Sequence, residues 1–186
     1  MKKVYLALLL MIGLLYAQDP IEDLPDFTPQ FSIRSLYSGD ILISKKSSMP
    51  TPNWKIRDVT IPELAKSDFA EALFKLGYVQ FYHPQDDNRC IGIDEAGFFT
   101  DRNCKQDIDS KKYETIFSIM PTNTGAVQIR SLVLDKNQCI SVFHTTAIPR
   151  GRDFGINPCD FSALVLIDLK TLLILAPPLG EFMLNN

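Results

Sequence analysis

Four cysteines, two histidines and one adjacent pair of aspartates are the residues of this 186-residue chain best placed to do chemistry. His83 and His144 are the only imidazoles, and neither stands in a nucleophile or metal motif. The chain holds no glycine-rich phosphate loop, no G-x-S-x-G elbow and no paired zinc-ligand motif. Asp86 and Asp87 sit beside Asn88, a composition that reads as a solvated hairpin turn rather than a carboxylate site. Zinc sites built from cysteine need ligand pairs about two to four residues apart. Here 13 residues separate Cys90 from Cys104 and 19 separate Cys139 from Cys159. With 19 basic and 22 acidic residues, the net charge of −3 excludes nucleic-acid binding by bulk positive charge. These counts predict a chain without catalytic, cofactor or metal residues.

The cysteines acquire a role from the N-terminus. Lys2 and Lys3 precede an apolar run from Val4 to Tyr16, and Ala17 closes it before Gln18, Asp19 and Pro20. A short basic region, an apolar core and a small residue at the end form a secretory signal peptide. The run is shorter than the ~20 apolar residues of a membrane span. Removing residues 1–17 takes two lysines and leaves a mature chain of net charge −5. An exported chain meets an oxidising compartment, where four cysteines read as two disulfides.

The elements that carry these residues repeat. Ile33, Arg34, Ser35 and Leu36 recur as Ile129, Arg130, Ser131 and Leu132, a separation of 96. At the midpoint the chain reads Val79, Gln80, Phe81, against Phe31, Ser32, Ile33 and Val127, Gln128, Ile129. Each is apolar, polar, apolar, the alternation of a half-buried strand. Each copy then reaches a polar turn and a second apolar strand, which opens with Cys90–Ile91 in copy two and Cys139–Ile140 in copy three. A second cysteine follows in both, five residues after Phe99 and after Phe154. Like positions in two repeats make like bonds, so the repeat pairs Cys90 with Cys104 and Cys139 with Cys159. Copy one has Leu42 near the equivalent place and no cysteine.

Three β-rich units set 48 apart, none able to bury its apolar face alone, predict an all-β fold: a β-trefoil with three pseudo-repeats over residues 31–176. One helix interrupts it between lobes one and two. Thr60 and Glu63 form a capping box, and Pro62 suits the first turn. Ala65, Phe69, Leu73 and Leu76 predict its buried stripe, and Gly77 its end. Residues 18–30 carry Pro20, Pro25 and Pro29 with Asp19, Glu22, Asp23 and Asp26, which predicts an extended arm. Ala163–Ala176 reads as the last two strands of lobe three, and residues 177–186 as a tail free to cross to a partner. Of the aromatic residues in lobe two, strand alternation turns Tyr82 and one of Phe98 and Phe99 outward. Leu76, Tyr78, Phe81 and Tyr82 together form a candidate contact region.

The strings from Ser32 to Leu36, Gly77 to Phe81, Phe117 to Thr122, Ala126 to Leu134 and Phe154 to Cys159 resemble the C-type component (CdtC) of the cytolethal distending toxins, as do Pro177, Pro178 and Leu179. Order and approximate spacing are kept over nearly the whole chain. The resemblance implies a ricin-B-like lectin fold and a non-catalytic targeting role in a secreted tripartite toxin. Its partners would be a homologous trefoil, the A-type component, and the B-type component, a nuclease resembling deoxyribonuclease I that acts on host DNA. The contact at the host cell would be a glycan or cholesterol-rich membrane, and the acidic arm (Asp19, Glu22, Asp23, Asp26) would pack against the nuclease. Two family patterns are incomplete here. Ricin-type lobes carry Gln-x-Trp, whereas this chain offers Pro52-Asn53-Trp54 in lobe one, Ile116-Phe117 in lobe two and no tryptophan in lobe three. A cholesterol-associated pattern of Leu, Tyr and a basic residue begins at Leu76 and Tyr78, but the next basic residue is Arg89. A secreted trefoil lectin or protease inhibitor acting alone is the alternative that composition leaves open.

Overall fold

The computed structural model describes residues 30–43, 50–97, 99–134, 136–144, 152–161 and 167–180. The expected signal peptide, the expected arm up to residue 29, Phe98 and the end of the tail fall outside them. Ten strands are present: β1 (Phe31–Ser35), β2 (Asn53–Val59), β3 (Tyr78–His83), β4 (Asp86–Ile93), β5 (Phe99–Asn103), β6 (Phe117–Pro121), β7 (Val127–Ser131), β8 (Gln138–His144), β9 (Arg152–Pro158) and β10 (Leu173–Ala176). Among the described residues three short helices join them: α1 (Pro62–Ser67), α2 (Phe69–Phe74) and α3 (Cys104–Asp109).

Six strands close a ring. β1 pairs with β2, β2 with β3, β3 with β6, β6 with β7, β7 with β10 and β10 with β1, all antiparallel. The hairpins β4–β5 and β8–β9 extend from it. The fold is an all-β trefoil. Alternation along the ring strands sends one residue of each repeat inward at the same height. Ile33, Phe81 and Ile129, spaced 48 apart, are all fully buried. Trp54, Phe117 and Leu173 from the closing strands of the three lobes meet them, and Leu42, Ile91 and Ile140 complete the core. Burying each such side chain contributes ~1.5–3 kcal/mol. Phe81 also sits edge-on to Phe31 at 5.9 Å and tilted against Phe117 at 5.4 Å.

Disulfides join Cys90 to Cys104 and Cys139 to Cys159, the pairing that the repeat assigned. Each bond closes the open end of a hairpin, beside the facing pairs Arg89–Asn103 and Gln138–Pro158. Lobe one departs from its copies: among the described residues its second strand is a single bridge between Arg34 and Ile41, although Leu42 still reaches the core.

Several local expectations are corrected. The single helix is two, because Asp68 between them is extended at φ −100°, ψ 105°. Thr60 does not cap α1. Its cap position is Ile61, with no side-chain bond, and Glu63 pairs with Lys111 instead. α2 ends at Lys75 in the left-handed region, two residues before Gly77. Asp86 and Asp87 open β4, and the β3–β4 turn is the pair Pro84–Gln85 between the facing residues His83 and Asp86. Within 163–176 the described residues give one strand, β10, preceded by a 3-10 turn at Leu169–Thr171. Up to Leu179 the tail lies against lobe one, and residues 181–186 fall outside the described residues. Ser32 donates to the Pro177 carbonyl, and Asn53 exchanges two bonds of 2.8 and 2.9 Å with the Leu179 backbone.

Candidate interaction surface

The contact region expected from lobe two is divided by the fold. Phe81 has no exposure and Tyr78 has 5%. Both therefore leave the candidate surface: Phe81 belongs to the barrel core, and Tyr78 turns its ring into the smaller cluster of Ile61, Leu64, Ile116 and Leu132. Tyr78 is inside because β3 is covered on both sides, by the core on one and by the helical insertion on the other. Tyr82 is half-buried, under the side chains of Lys55 at 5.9 Å and Arg57 at 4.9 Å. Leu76 is half-buried and lines a groove. Phe99 packs against the core. Asp19, Glu22, Asp23 and Asp26 lie outside the described residues.

Asp68 explains both the break in the helix and the position of Tyr78. Its carboxylate accepts the Ala70 amide at 3.1 Å, capping α2, and the Tyr78 hydroxyl at 3.0 Å. Arg130, 62 residues away, grips it with two bonds of 2.9 and 2.6 Å. Arg130 is fully buried and also donates to the Lys136 carbonyl and the Ser118 hydroxyl. Burial acts to raise the pKa of Asp68, but the bonds and charge of Arg130, with the Tyr78 hydroxyl, outweigh it and hold the carboxyl below its ordinary value. Burial and the neighbouring carboxylate push the Tyr78 phenol well above its own. The network locks the helical insertion onto lobe three.

Locking Asp68 inward turns the rest of α2 outward. Phe69 is 79% exposed and Leu73 59%, so the α2 part of the expected stripe faces solvent, while Ala65 still packs on the smaller cluster and Ala70 is the buried residue of α2. Phe74 is also exposed, and its ring lies parallel to that of Phe161, within 4° and 6.2 Å between centres. The pair borders a groove of about 690 Å³ whose lining includes Leu76, Met120, Pro121 and Leu169. An exposed apolar surface of this kind is a candidate contact site. Sequence periodicity missed it. The adjacent apolar residues Leu73 and Phe74 on one short helix were the available signal, since they cannot both face one core.

Among the described residues, the other cavity is lined by charged groups. A second cavity of about 210 Å³ is polar, lined by Arg102, Asp107 and Glu114 among others. Of its charges, Arg102 pairs with Glu114, and Asp107 accepts two amides and the Thr115 hydroxyl. His83 is buried, with Nδ1 accepting the Gln85 amide. The side chain of His144 lies outside the described residues. Among the described residues there is no cluster of three metal-ligating side chains, and no helix is long and apolar enough to cross a membrane.

Residues 30–183 match the family described as the cytolethal distending toxin A/C domain. No curated protein sequence matches the chain. Among solved structures, the cytolethal distending toxin of Actinobacillus actinomycetemcomitans is 23% identical, with a TM-score of 0.57 over 82% of this chain and 87% of that one. That of Haemophilus ducreyi is 22% identical, with a TM-score of 0.58 and the same coverage. The BEL β-trefoil shares the fold at 12% identity, with a TM-score of 0.52 over 83% of this chain and 97% of that one.

Proposed function

The chain belongs to the cytolethal distending toxin A/C domain family, and from that premise we propose that it is the C-type component of a secreted tripartite genotoxin. It binds the host-cell surface and delivers the toxin, and no catalytic step falls to it. Its partners are a homologous trefoil protein and a nuclease resembling deoxyribonuclease I. The observation that carries this reading is the family match itself, which spans all ten strands. The outward face of α2 and the adjoining groove support it, because interfaces between protein chains bury apolar and aromatic side chains of this kind. The four arm carboxylates suit a groove built for phosphates, where they take the place of the nucleic-acid backbone.

Co-expression with the trefoil and nuclease genes of the same toxin tests the reading. The expected result is one co-purifying complex that binds host cells, and separate elution of this chain removes the claim. Deleting residues 18–30 should weaken the complex or raise nuclease activity, and no change in either refutes the role given to the arm. Export places Gln18 at the N-terminus of the mature protein, which mass spectrometry reads directly. Retention of Met1–Ala17 would refute secretion by this signal.

A further inference from the structure

The two disulfides differ in how they are covered. Cys90 and Cys104 are 0% and 1% exposed. Arg57 brings a guanidinium nitrogen to 3.6 Å from Cys90 Sγ, and the Gln80 amide donates to the Cys104 carbonyl at 3.0 Å. A thiol from solution reaches that bond only after this network opens. Cys139 is also fully buried, but Cys159 is half-buried, the one cysteine of the four that is more than 1% exposed. It stands just past β9, whose last facing pair is Gln138–Pro158, and its amide donates to the Asn137 carbonyl at 2.7 Å. Cys159 also leads directly into the apolar groove. Asp160 and Phe161 line that groove, and the Phe161 ring stacks on Phe74 of α2. The disulfide is thus a covalent tie between this wall and Cys139 of β8.

We propose that Cys159 is a thiol-exchange site, and that the Cys139–Cys159 bond is a redox-sensitive latch on the Phe161 wall of the groove. The reactant is a low-molecular-weight monothiol of the glutathione class. Its thiolate attacks Cys159 Sγ and forms a new sulfur–sulfur bond there, while the Cys139–Cys159 bond breaks. Cys139 leaves as a thiolate and takes up a proton. A second thiolate then attacks the sulfur of the small thiol in this mixed disulfide, and Cys159 leaves and is protonated in turn. Two small thiols are oxidised to their own disulfide, and one protein disulfide is reduced to two thiols. Exchange depends on which sulfur is attacked and on access to it, and access favours Cys159 over the other three cysteines. With the bond open, Asp160 and Phe161 lose their covalent tie to β8, and the stacked rings separate. The inference concerns the isolated chain and does not rest on the assembly reading above.

Incubating the oxidised chain with glutathione tests the proposal, with free thiols trapped by alkylation and mapped by mass spectrometry. The Cys139–Cys159 bond should open at least tenfold faster than Cys90–Cys104, through a glutathione adduct on Cys159 and a free Cys139. Equal rates overturn the exchange site, as does an adduct confined to Cys139. The rate should not change in urea too dilute to unfold the chain. A steep rise with urea overturns the proposal, because attack would then require unfolding. The latch has its own readout, the nuclear Overhauser contact between the Phe74 and Phe161 rings. This contact should be present in the oxidised protein and lost after selective opening, while that between Phe31 and Phe81 in the core remains. Persistence of the first contact refutes the latch, and so does loss of both, which would mean that the bond holds the whole fold.

Discussion

Asp68 was the least conspicuous acidic residue in the sequence, yet it organises the region around the candidate surface. Its carboxylate caps one helix and binds a phenol and a guanidinium that is fully buried. Removing one partner of a buried pair strands the other charge, which costs about 3–5 kcal/mol. Asp68→Ala should therefore lower stability to chemical denaturation by that amount, and a loss below about 1 kcal/mol would show that Arg130 is stabilised elsewhere. The pH dependence follows from the direction of the shift. Because the folded-state pKa of Asp68 is depressed, its contribution is present above the unfolded carboxylate value of about 3.9 and is lost as pH falls through the folded one. Asp68→Asn should show a shallower fall of melting temperature than the parent on acidification below pH 4. Tyr78 works in the opposite sense. Its raised pKa gives stability that is present below about pH 10 and lost as pH rises through the folded value, so Tyr78→Phe should flatten the alkaline limb.

At the scale of elements, helix periodicity gave the existence of a helical insertion but the wrong face for its second half, α2. The spacing of Ala65, Phe69, Leu73 and Leu76 assumes one continuous helix, and the extended Asp68 resets the rotation between α1 and α2. Phe69→Ser with Leu73→Ser should therefore change stability by no more than about 0.5 kcal/mol, as surface replacements do, while weakening assembly or cell binding. Leu64→Ala, at a buried position of α1, should cost about 2–5 kcal/mol. If Phe69 and Leu73 prove to be stability residues, α2 packs differently from the arrangement described. The hairpins were more legible. Their disulfides close loops whose loss should cost about 3 kcal/mol each on the chain-entropy model, so Cys139→Ser with Cys159→Ser should lower the denaturation midpoint without altering the Cys90–Cys104 bond.

At the scale of the whole molecule, three lobes share one core, so equivalent positions should have similar weight. Phe81→Ala, Ile33→Ala and Ile129→Ala remove fully buried side chains from one height of the barrel and should each cost about 2–5 kcal/mol. A lobe-one variant much milder than the others would mean that the reduced second strand leaves that lobe able to collapse around a cavity. The sequence by itself determined the period of 48, the apolar–polar alternation of the repeated strands and the partners of the cysteines. These are repeated or local features, and a strand or hairpin expresses its alternation and turn wherever it lies in the fold. Only the tertiary structure decided that Arg130 meets Asp68 across 62 residues, and that Tyr78 is inside and Phe69 outside. Those outcomes depend on which distant surfaces cover each other, and one buried ion pair outweighs the small apolar preference of a single helical turn.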